Sequence, residues 1–273
     1  MSGALPIWVV PTIIATTFLT LFFAESLRPL RRNVEPRFRH IVRNLATGGV
    51  SLAIITLIQT PLLVPIAGLV ERNHIGLLNW IDLPRPWSIV VAIVLLDYTL
   101  WIWHWASHRV PFLWRFHLAH HVDLDLDAST ALRFHFGELA LSIPVRAVQI
   151  AIIGADPFAV ALWQAILFAS ILFHHSNVRL PRRFEAILAR VIVTPRMHGI
   201  HHSARKDETN SNWSSLLSVW DFVHRTFRFD APDETIVIGV PAYPTPRDVT
   251  IGKVLTLPFR RQREDWRCLD DDG

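Results

Sequence analysis

The sequence predicts an all-helical integral membrane bundle with a histidine-rich cap on one face of the membrane, on three observations. The runs Met1–Ala24 and Asn44–Val70 contain no charged side chain, and about 20 apolar residues suffice to cross a bilayer as a helix. Only 18% of the residues are charged and 51% are hydrophobic, whereas about 25% charged is typical of soluble domains. Of the 14 histidines, 11 lie between positions 104 and 202.

About three membrane spans and a helical hairpin are expected, in chain order. The spans are Ile7–Ala24, Leu45–Val70 and Trp87–Trp103, and the hairpin consists of Glu138–Gly154 and Pro157–Phe173. The first span is not expected to be a cleaved signal peptide, because no basic segment precedes it. The second is either one span or a shorter helix broken at its prolines 61 and 65. The hairpin helices are short for a crossing, so a re-entrant hairpin remains an alternative.

The arginines predict how the chain is oriented. Residues 26–43 contain six arginines, whereas residues 71–87 contain two arginines and two acids. Cytoplasmic loops are rich in Lys and Arg, so the first loop is expected in the cytoplasm. The histidine-rich segments and the C-terminus then share that face, in a bacterial inner membrane or the endoplasmic reticulum. The same rule accounts for the net charge of +4, so no nucleic-acid partner is expected. Cys268 is the single cysteine, which excludes an internal disulfide.

Most of the histidines fall into short boxes. These read HWASH (104–108), HLAHH (117–121), FHF (134–136), HH (174–175) and HGIHH (198–202). Residues at i, i+3 and i+4 share one face of a helix, and neutral imidazole is the commonest metal ligand. The candidate ligands are His104, His108, His117, His120, His121, His135, His174, His175, His198, His201 and His202. These are too many for one ion, so two metal ions are expected.

Other metal chemistries fit less well. The chain has no H-E-x-x-H motif of a zinc metalloprotease. Haem held by two histidines needs one from each of two facing helices, not triplets on one helix. The isolated histidines His40, His74 and His224 are interpreted as core or interface residues.

The ordered boxes and their flanks resemble the fatty acid hydroxylase / sterol desaturase superfamily of membrane di-iron oxygenases. The resemblance is carried by DYTLWIWHWASHRVPFLWRFHLAHH (97–121), DASTALRFHFGE (127–138), FHHSN (173–177), TPRMHGIHHS (194–203) and SNWSSLLSVWDFVHRTF (211–227). It implies two iron ions that activate O2 and hydroxylate or desaturate a lipid C–H bond. Electrons would come from a separate donor, a cytochrome b5- or ferredoxin-like protein with its reductase, because no G-x-G-x-x-G occurs in the chain.

The resemblance also assigns the site. It implies nine catalytic ligands, namely His104, His108, His117, His120, His121, His175, His198, His201 and His202. The tenth is open between His135 and His174, and His135 is favoured. One departure is Arg225, which stands where the family has Gly in W-D-x-x-x-G-T and puts a tight backbone approach in doubt.

Polar residues near the boxes are candidates for orienting the ligands, because a ligating histidine usually donates its other N–H to an oxygen. Asp97 lies in a predicted span, seven residues before His104, and is expected to orient a histidine of the first box. The weaker candidates for the cofactor's surroundings are Asp127, Asn177 and Asp221, together with Glu138 and Asn212. Asp123 and Asp125 are expected in a solvated loop.

The expected organisation has three parts. Residues 1–90 form membrane spans and loops, residues 91–230 the hydroxylase-like catalytic domain, and residues 231–273 a cytoplasmic tail. Two alternatives to a lipid oxygenase remain: a redox-silent metal hydrolase or isomerase, and a non-catalytic metal-binding membrane protein. The sequence selects neither the lipid nor the choice between hydroxylation and desaturation.

Overall fold

A computed structural model describes residues 8–230 and 236–264. Five stretches in this part are helical, long and apolar enough to cross a membrane: Val9–Leu27, Arg37–Trp80, Arg85–Arg109, Phe136–Ile153 and Pro157–His175. The described ranges contain isolated β-bridges but no strand. The predicted all-helical membrane bundle of three spans plus a hairpin is therefore confirmed. Ile7, where the first span was expected to begin, and Cys268 lie outside the described residues.

The helices follow one another with short connections. They are α1 (Val9–Leu27), α2 (Arg37–Ile54), α3 (Thr60–Arg72), α4 (Leu77–Trp80), α5 (Arg85–Arg109), α6 (Pro111–His121), α7 (Phe136–Ile153), α8 (Pro157–His175), α9 (Arg182–Leu188), α10 (Pro195–His201), α11 (Lys206–Thr209), α12 (Val219–Val223) and α13 (Ile251–Thr256). A π-helical segment, Ile55–Gln59, joins α2 to α3, and 3-10 turns occupy Thr130–Leu132 and Leu257–Phe259.

The second span begins at Arg37 rather than at Leu45. Its first turns are polar, yet His40, Arg43 and Asn44 are buried, because they face other polar residues inside the protein. The helical path changes to π geometry just before Pro61 and then continues through Pro65. Proline lacks an N–H and its ring clashes with the carbonyl four residues earlier, which accounts for a local change in winding at this place.

Proline marks the start of the helices that carry histidine boxes. Pro111, Pro157 and Pro195 each lie in the first turn of their helix, where the missing N–H has no intrahelical partner to lose. Asp156 caps α8, since its Oδ1 accepts a hydrogen bond from the N–H of Ala159 at 2.6 Å. The local sequence therefore fixes where these helices begin, and with it the direction in which each box faces.

The long helices pack so that the box-bearing segments meet. Helix α1 packs on α8, α3 packs on α7, and α5 contacts α6, α7 and α8. The core between α5 and α8 contains Leu96, Trp163 and Leu167. Helix α10 packs on α8, which brings the HGIHH box to the C-terminal end of α8, where His174 and His175 lie. Burial of apolar side chains thus gathers the boxes at one end of the bundle.

The acidic run after the second box is buried, so the expectation of a solvated loop at Asp123 and Asp125 is wrong. Asp123 is 0% exposed and Asp125 is 6% exposed. The Asp123 carboxylate accepts hydrogen bonds from Arg43 at 3.0 Å and from Asn44 at 3.0 Å, and pairs with His40 Nε2 at 2.9 Å. A buried charge is tolerated where it is paired and hydrogen-bonded, and the polar face of α2 supplies those partners.

Asp123 also connects this network to the second box. Arg133 lies 3.5 Å from the Asp123 carboxylate, and its Nε donates to the carbonyl of Ala119 at 3.0 Å. Ala119 lies in the middle of HLAHH. The neighbouring Arg133, together with His40, holds the pKa of the Asp123 carboxyl far below its usual range. The acidic run is therefore an anchor for the box-two segment.

Candidate metal centre

Nine histidines converge into two adjacent groups inside the bundle. The first group consists of His104, His108, His117, His121 and His201, and the second of His120, His175, His198 and His202. Within each group the potential ligand atoms all lie within 4.8 Å of one another. Each group draws on at least three helices or helix ends, so neither could form from one box alone. The two groups meet at the rings of His121 and His202, which stack with centroids 4.3 Å apart.

The second group presents its ring nitrogens to one another in series. The Nε2 atoms of His120 and His175 are 3.0 Å apart, and those of His175 and His198 are 3.1 Å apart. His198 and His202 continue the series at 3.1 Å. In the first group, the Nε2 atoms of His117 and His121 are 3.1 Å apart. A neutral imidazole carries a single N–H, so the four facing Nε2 atoms of the second group cannot all be hydrogen-bonded to one another.

These separations fit a shared ion. Two ligands at right angles around an ion about 2.1 Å from each are about 3.0 Å apart, against about 3.4 Å at the tetrahedral angle. In the first group, Nε2 of His108 and of His201 are buried and have no hydrogen-bond partner among the described residues. The donor set and its spacing therefore fit two metal ions of more than four coordination positions each. Imidazole donors suit Fe, Zn, Cu and Ni.

Five of the grouped imidazoles outside the membrane spans have a lowered pKa, which favours their neutral form. Burial and the neighbouring histidines lower the pKa of His120, His121, His198 and His202 well below the ordinary value. Burial lowers the pKa of His201 to about 3. Neutral imidazole is the form that ligates a metal, so these histidines need not lose a proton at neutral pH to bind one.

Hydrogen bonds to Nδ1 orient several of the rings. Nδ1 of His104 lies 2.7 Å from the carbonyl oxygen of Trp213, and Nδ1 of His201 lies 2.8 Å from that of Ser211. Nδ1 of His117 lies 2.9 Å from a carboxylate oxygen of Glu138. A proton held on Nδ1 by such an acceptor leaves Nε2 with a free lone pair that points into the group. Glu138 thus acts on the centre through His117.

Asp221 positions the segment that supplies two of these carbonyls. Its carboxylate accepts from the backbone N–H groups of Trp213 and Ser214, both at 3.0 Å, and from the indole N–H of Trp101 at 3.1 Å. Thr226 donates its hydroxyl to the same carboxylate at 2.7 Å. Asp221 is fully buried. It contacts no box histidine directly and instead fixes the backbone to which His104 is hydrogen-bonded.

Asp97 is buried but does not orient a histidine of the first box. Its Oδ2 accepts from the indole N–H of Trp220 at 2.7 Å and from the N–H of Leu217 at 3.1 Å. Seven residues correspond to about 10 Å along a helix. Sharing a face with His104 is therefore not enough for contact, and Asp97 instead binds the segment around α12 to α5.

The remaining expected polar candidates also support the scaffold. Asp127 pairs with Nδ1 of His40 at 3.0 Å and accepts from Ser129. Asn177 accepts from the N–H of Arg31 at 2.8 Å, and its own N–H donates to Glu25. The bonds to His40, Arg31 and Glu25 run to residues before position 41, so Asp127 and Asn177 tie the box segments to the N-terminal part of the chain.

His135 and His174, the two candidates for a tenth ligand, lie in different surroundings. His135 is outside both groups. Its Nδ1 caps α7, since it accepts a hydrogen bond from the N–H of Gly137 at 2.9 Å. Its Nε2 lies 3.1 Å from the carbonyl oxygen of Leu255. The ring of His174 packs beside that of His198, with centroids 4.1 Å apart. Nδ1 of His174 is buried without a hydrogen-bond partner among the described residues.

Some contributors gave no signal in the sequence. The carbonyls of Ser211 and Trp213 are invisible to motif analysis, because every residue has one. Arg133 follows the second box without any spacing that distinguishes it.

Arg225 keeps the left-handed conformation, with φ 58°, so the turn that fits a glycine forms despite the substitution.

Fold and site together define an integral membrane protein with a paired histidine centre able to hold metal. The sequence model of the fatty acid hydroxylase family matches residues 89–226, about half of the chain and the region that contains all nine histidines. The chain belongs to the fatty acid hydroxylase family.

The curated relatives act on different lipids. Ornithine lipid hydroxylase OlsE of Rhizobium tropici is 28% identical over 243 residues, which cover 86% of this chain and 71% of that protein. Alkylglycerol monooxygenase of Homo sapiens is 27% identical over 155 residues, or 57% of this chain and 33% of that protein. Cholesterol 25-hydroxylase of Mus musculus is 23% identical over 186 residues, 61% of each chain. The chain thus spans less than two thirds of the latter two proteins. No solved structure was found to match the chain.

Proposed function

We propose that this chain is a membrane-embedded lipid hydroxylase that uses two iron ions, O2 and external electrons. The observation that carries the proposal is the pair of adjacent, largely buried histidine groups in a member of the fatty acid hydroxylase family. When bound, the two irons would supply the reductive activation of O2 that oxidation of an unactivated C–H bond requires. The chain's own residues hold, orient and shield that centre.

The two histidine groups divide the ligands between the ions. His104, His108, His117, His121 and His201 would hold one ion, and His120, His175, His198 and His202 the other. We favour His174 over His135 as the tenth ligand, because the His174 ring adjoins the second group and its Nδ1 has no other described partner. The ring hydrogen bonds to Glu138 and Trp213 would hold the proton on Nδ1 and keep Nε2 available to the metal.

We propose a lipid as substrate and hydroxylation as the reaction. The relatives support this, since their names describe hydroxylation or monooxygenation of an ornithine lipid, an alkylglycerol and cholesterol. All three are amphiphiles, which partition into the membrane where this chain resides. None of these names describes a desaturase, and hydroxylation is therefore preferred over desaturation.

The charge distribution supports one side of the membrane for the histidine boxes, and the electron donor is proposed to act on that side. We propose that the histidine boxes face the cytoplasm, because six arginines lie between residues 26 and 43. A separate cytochrome b5- or ferredoxin-like donor with its reductase would deliver electrons there. Residues 91–230 would form the catalytic part of the chain.

The experiment combines metal analysis with isotope labelling. The full chain is purified, its metals are counted, and membrane lipids are incubated with it under 18O2 and a reductase system. We expect about two irons per chain and a hydroxylated lipid that contains one 18O atom. His198→Ala should lose both, whereas His74→Asn, at an exposed loop position, should retain both. Two tightly bound zinc ions without redox turnover, or activity that survives anaerobiosis, would contradict the proposal.

A further inference from the structure

Arg146 is a cation within a membrane-spanning helix, and the described residues provide no counterion for it. It lies in α7, and it forms no ion pair or hydrogen bond with another described residue. Its guanidinium carbon stands 5.5 Å from the ring centroid of Trp163 on α8. A charged side chain inside the bilayer is costly and, where it persists, usually has a partner or a function. The described protein supplies no such acidic partner.

Further polar groups line the same place. Arg146, Gln149, Trp163 and Gln164 line a recess between α7 and α8, and Gln59 and Gln164 line its continuation towards α3. The indole N–H of Trp163 and the Oε1 of Gln59 are buried and lack a hydrogen-bond partner among the described residues. Trp163 is 2% exposed and Gln59 is 6% exposed. Unsatisfied polar groups are costly in hydrocarbon, so a polar group bound in the recess would be stabilised by these atoms.

The composition of the recess selects the kind of group. Arginine offers five N–H donors and no acceptor, the indole N–H is donor only, and each glutamine adds two N–H donors together with one carbonyl acceptor. No Asp or Glu lines either part of the recess. A positive charge beside an unpaired indole N–H in a low-dielectric medium favours an anion, and the planar guanidinium matches a carboxylate or phosphate.

The remaining walls are apolar and open towards the lipid. They include Leu63, Val64 and Val160, and Val64 is 59% exposed on the surface of the bundle. The recess is separate from the histidine groups. Arg146 lies eight residues beyond Glu138, which is about 12 Å along α7, and Trp163 lies twelve residues before His175, about 18 Å along α8.

We propose that this recess binds the oxyanion of an amphiphile, a carboxylate or phosphate, with Arg146 as the charged anchor and the apolar wall of α3 and α8 along its tail. The binding does not depend on the metal centre. It therefore stands or fails apart from the hydroxylase activity.

Probes that share one tail test the proposal. The full chain is delipidated in a neutral detergent and titrated with oleate, oleyl phosphate and oleyl alcohol, and bound probe is counted by native mass spectrometry. We expect one saturable equivalent of oleate or oleyl phosphate. Oleyl alcohol should bind at least about tenfold more weakly, because its neutral hydroxyl forms no ion pair and no bidentate contact with the guanidinium. A preference for oleate would indicate a fatty acid as the natural occupant, and a preference for oleyl phosphate a phospholipid.

Variants assign the binding to the recess. Arg146→Gln should weaken the oxyanion probes at least about tenfold and leave oleyl alcohol unchanged, with metal content equal to wild type. Arg85→Gln is the matched control, because Arg85 also stands over an aromatic ring, that of Phe158 at 5.6 Å, but does not line the recess. Should Arg146→Gln fail to fold, Gln164→Leu keeps the volume and should weaken oxyanion binding several-fold. Equal binding of all three probes, no binding at all, or unchanged binding in these recess variants would overturn the proposal.

Discussion

The glycine pair in α2 offers a test of how the N-terminal helices support the candidate metal centre. A Cβ added at Gly48 would lie 2.7 Å from the carbonyl oxygen and 3.0 Å from the Cβ of Leu132, whereas a Cβ at Gly49 would meet nothing within 4 Å. Leu132 ends the 3-10 turn that precedes Arg133. Gly48→Ala therefore pushes α2 away from the segment that connects Asp123 to the second box, and Gly49→Ala does not.

Both substitutions gain helix stability from the loss of a glycine, but only Gly48→Ala also introduces a steric clash. Replacing Gly by Ala inside a helix stabilises it by about 0.5–1 kcal/mol, so Gly49→Ala should be stabilising by about that amount. At Gly48 the same gain is opposed by overpacking against backbone, which typically costs about 1–3 kcal/mol. The difference between the variants should thus be about 1–3 kcal/mol, on the order of 5 °C in apparent melting temperature.

The assay is thermal unfolding of both variants in the same detergent, with metal content as a second measurement. Gly48→Ala should melt below wild type or close to it and lose metal, because Arg133 and Asn44 move with the interface. Gly49→Ala should melt slightly above wild type with full metal content. If the two variants melt together and hold equal metal, α2 does not buttress the second box and the reasoning fails.

Three further predictions concern the candidate centre and its supports. Glu138→Gln should lower metal affinity about 10–100-fold, as loss of an outer partner of a ligating histidine typically does; metal release to a chelator measures this, and unchanged release would refute a role for Glu138 through His117. His174→Ala should reduce metal occupancy, whereas His135→Ala should lower thermal stability at full occupancy, and the opposite pattern would restore His135 as the tenth ligand. Arg225→Gly should raise the melting temperature, since the left-handed backbone costs a non-glycine residue about 1 kcal/mol or more, while Arg225→Lys should not change it.

The convergence of the candidate ligands was predictable because helical spacing carries their geometry. His117, His120 and His121 had to share one face of a helix, and Pro111 set where that helix begins. The division of the histidines into two groups was harder to predict from the sequence. His120 joins His175, His198 and His202, while its neighbours His117 and His121 join the other group, and this depends on tertiary packing that no local pattern encodes.

The supporting residues were harder to predict, because carboxylates look alike in sequence. Asp97 shares the helix of His104, yet the helical rise separates them by about 10 Å. Asp123 looked like part of a solvated acidic run, yet His40 approaches it from 83 positions earlier in the chain. Burial of a carboxylate is decided by which cations the fold brings to it, and those cations can lie anywhere along the sequence.

The contacts that secure the box segments cross the expected division near residue 90. Glu25 on α1 accepts from the N–H groups of Ala128 and Asn177, which follow the second box and the His174–His175 pair. Arg31 donates to the carbonyl of Pro195, at the start of the helix that carries HGIHH. The family match begins only at residue 89, so these anchors come from sequence outside it. The N-terminal helices therefore do more than insert the chain into the membrane, since they fix the backbone on which both histidine groups depend.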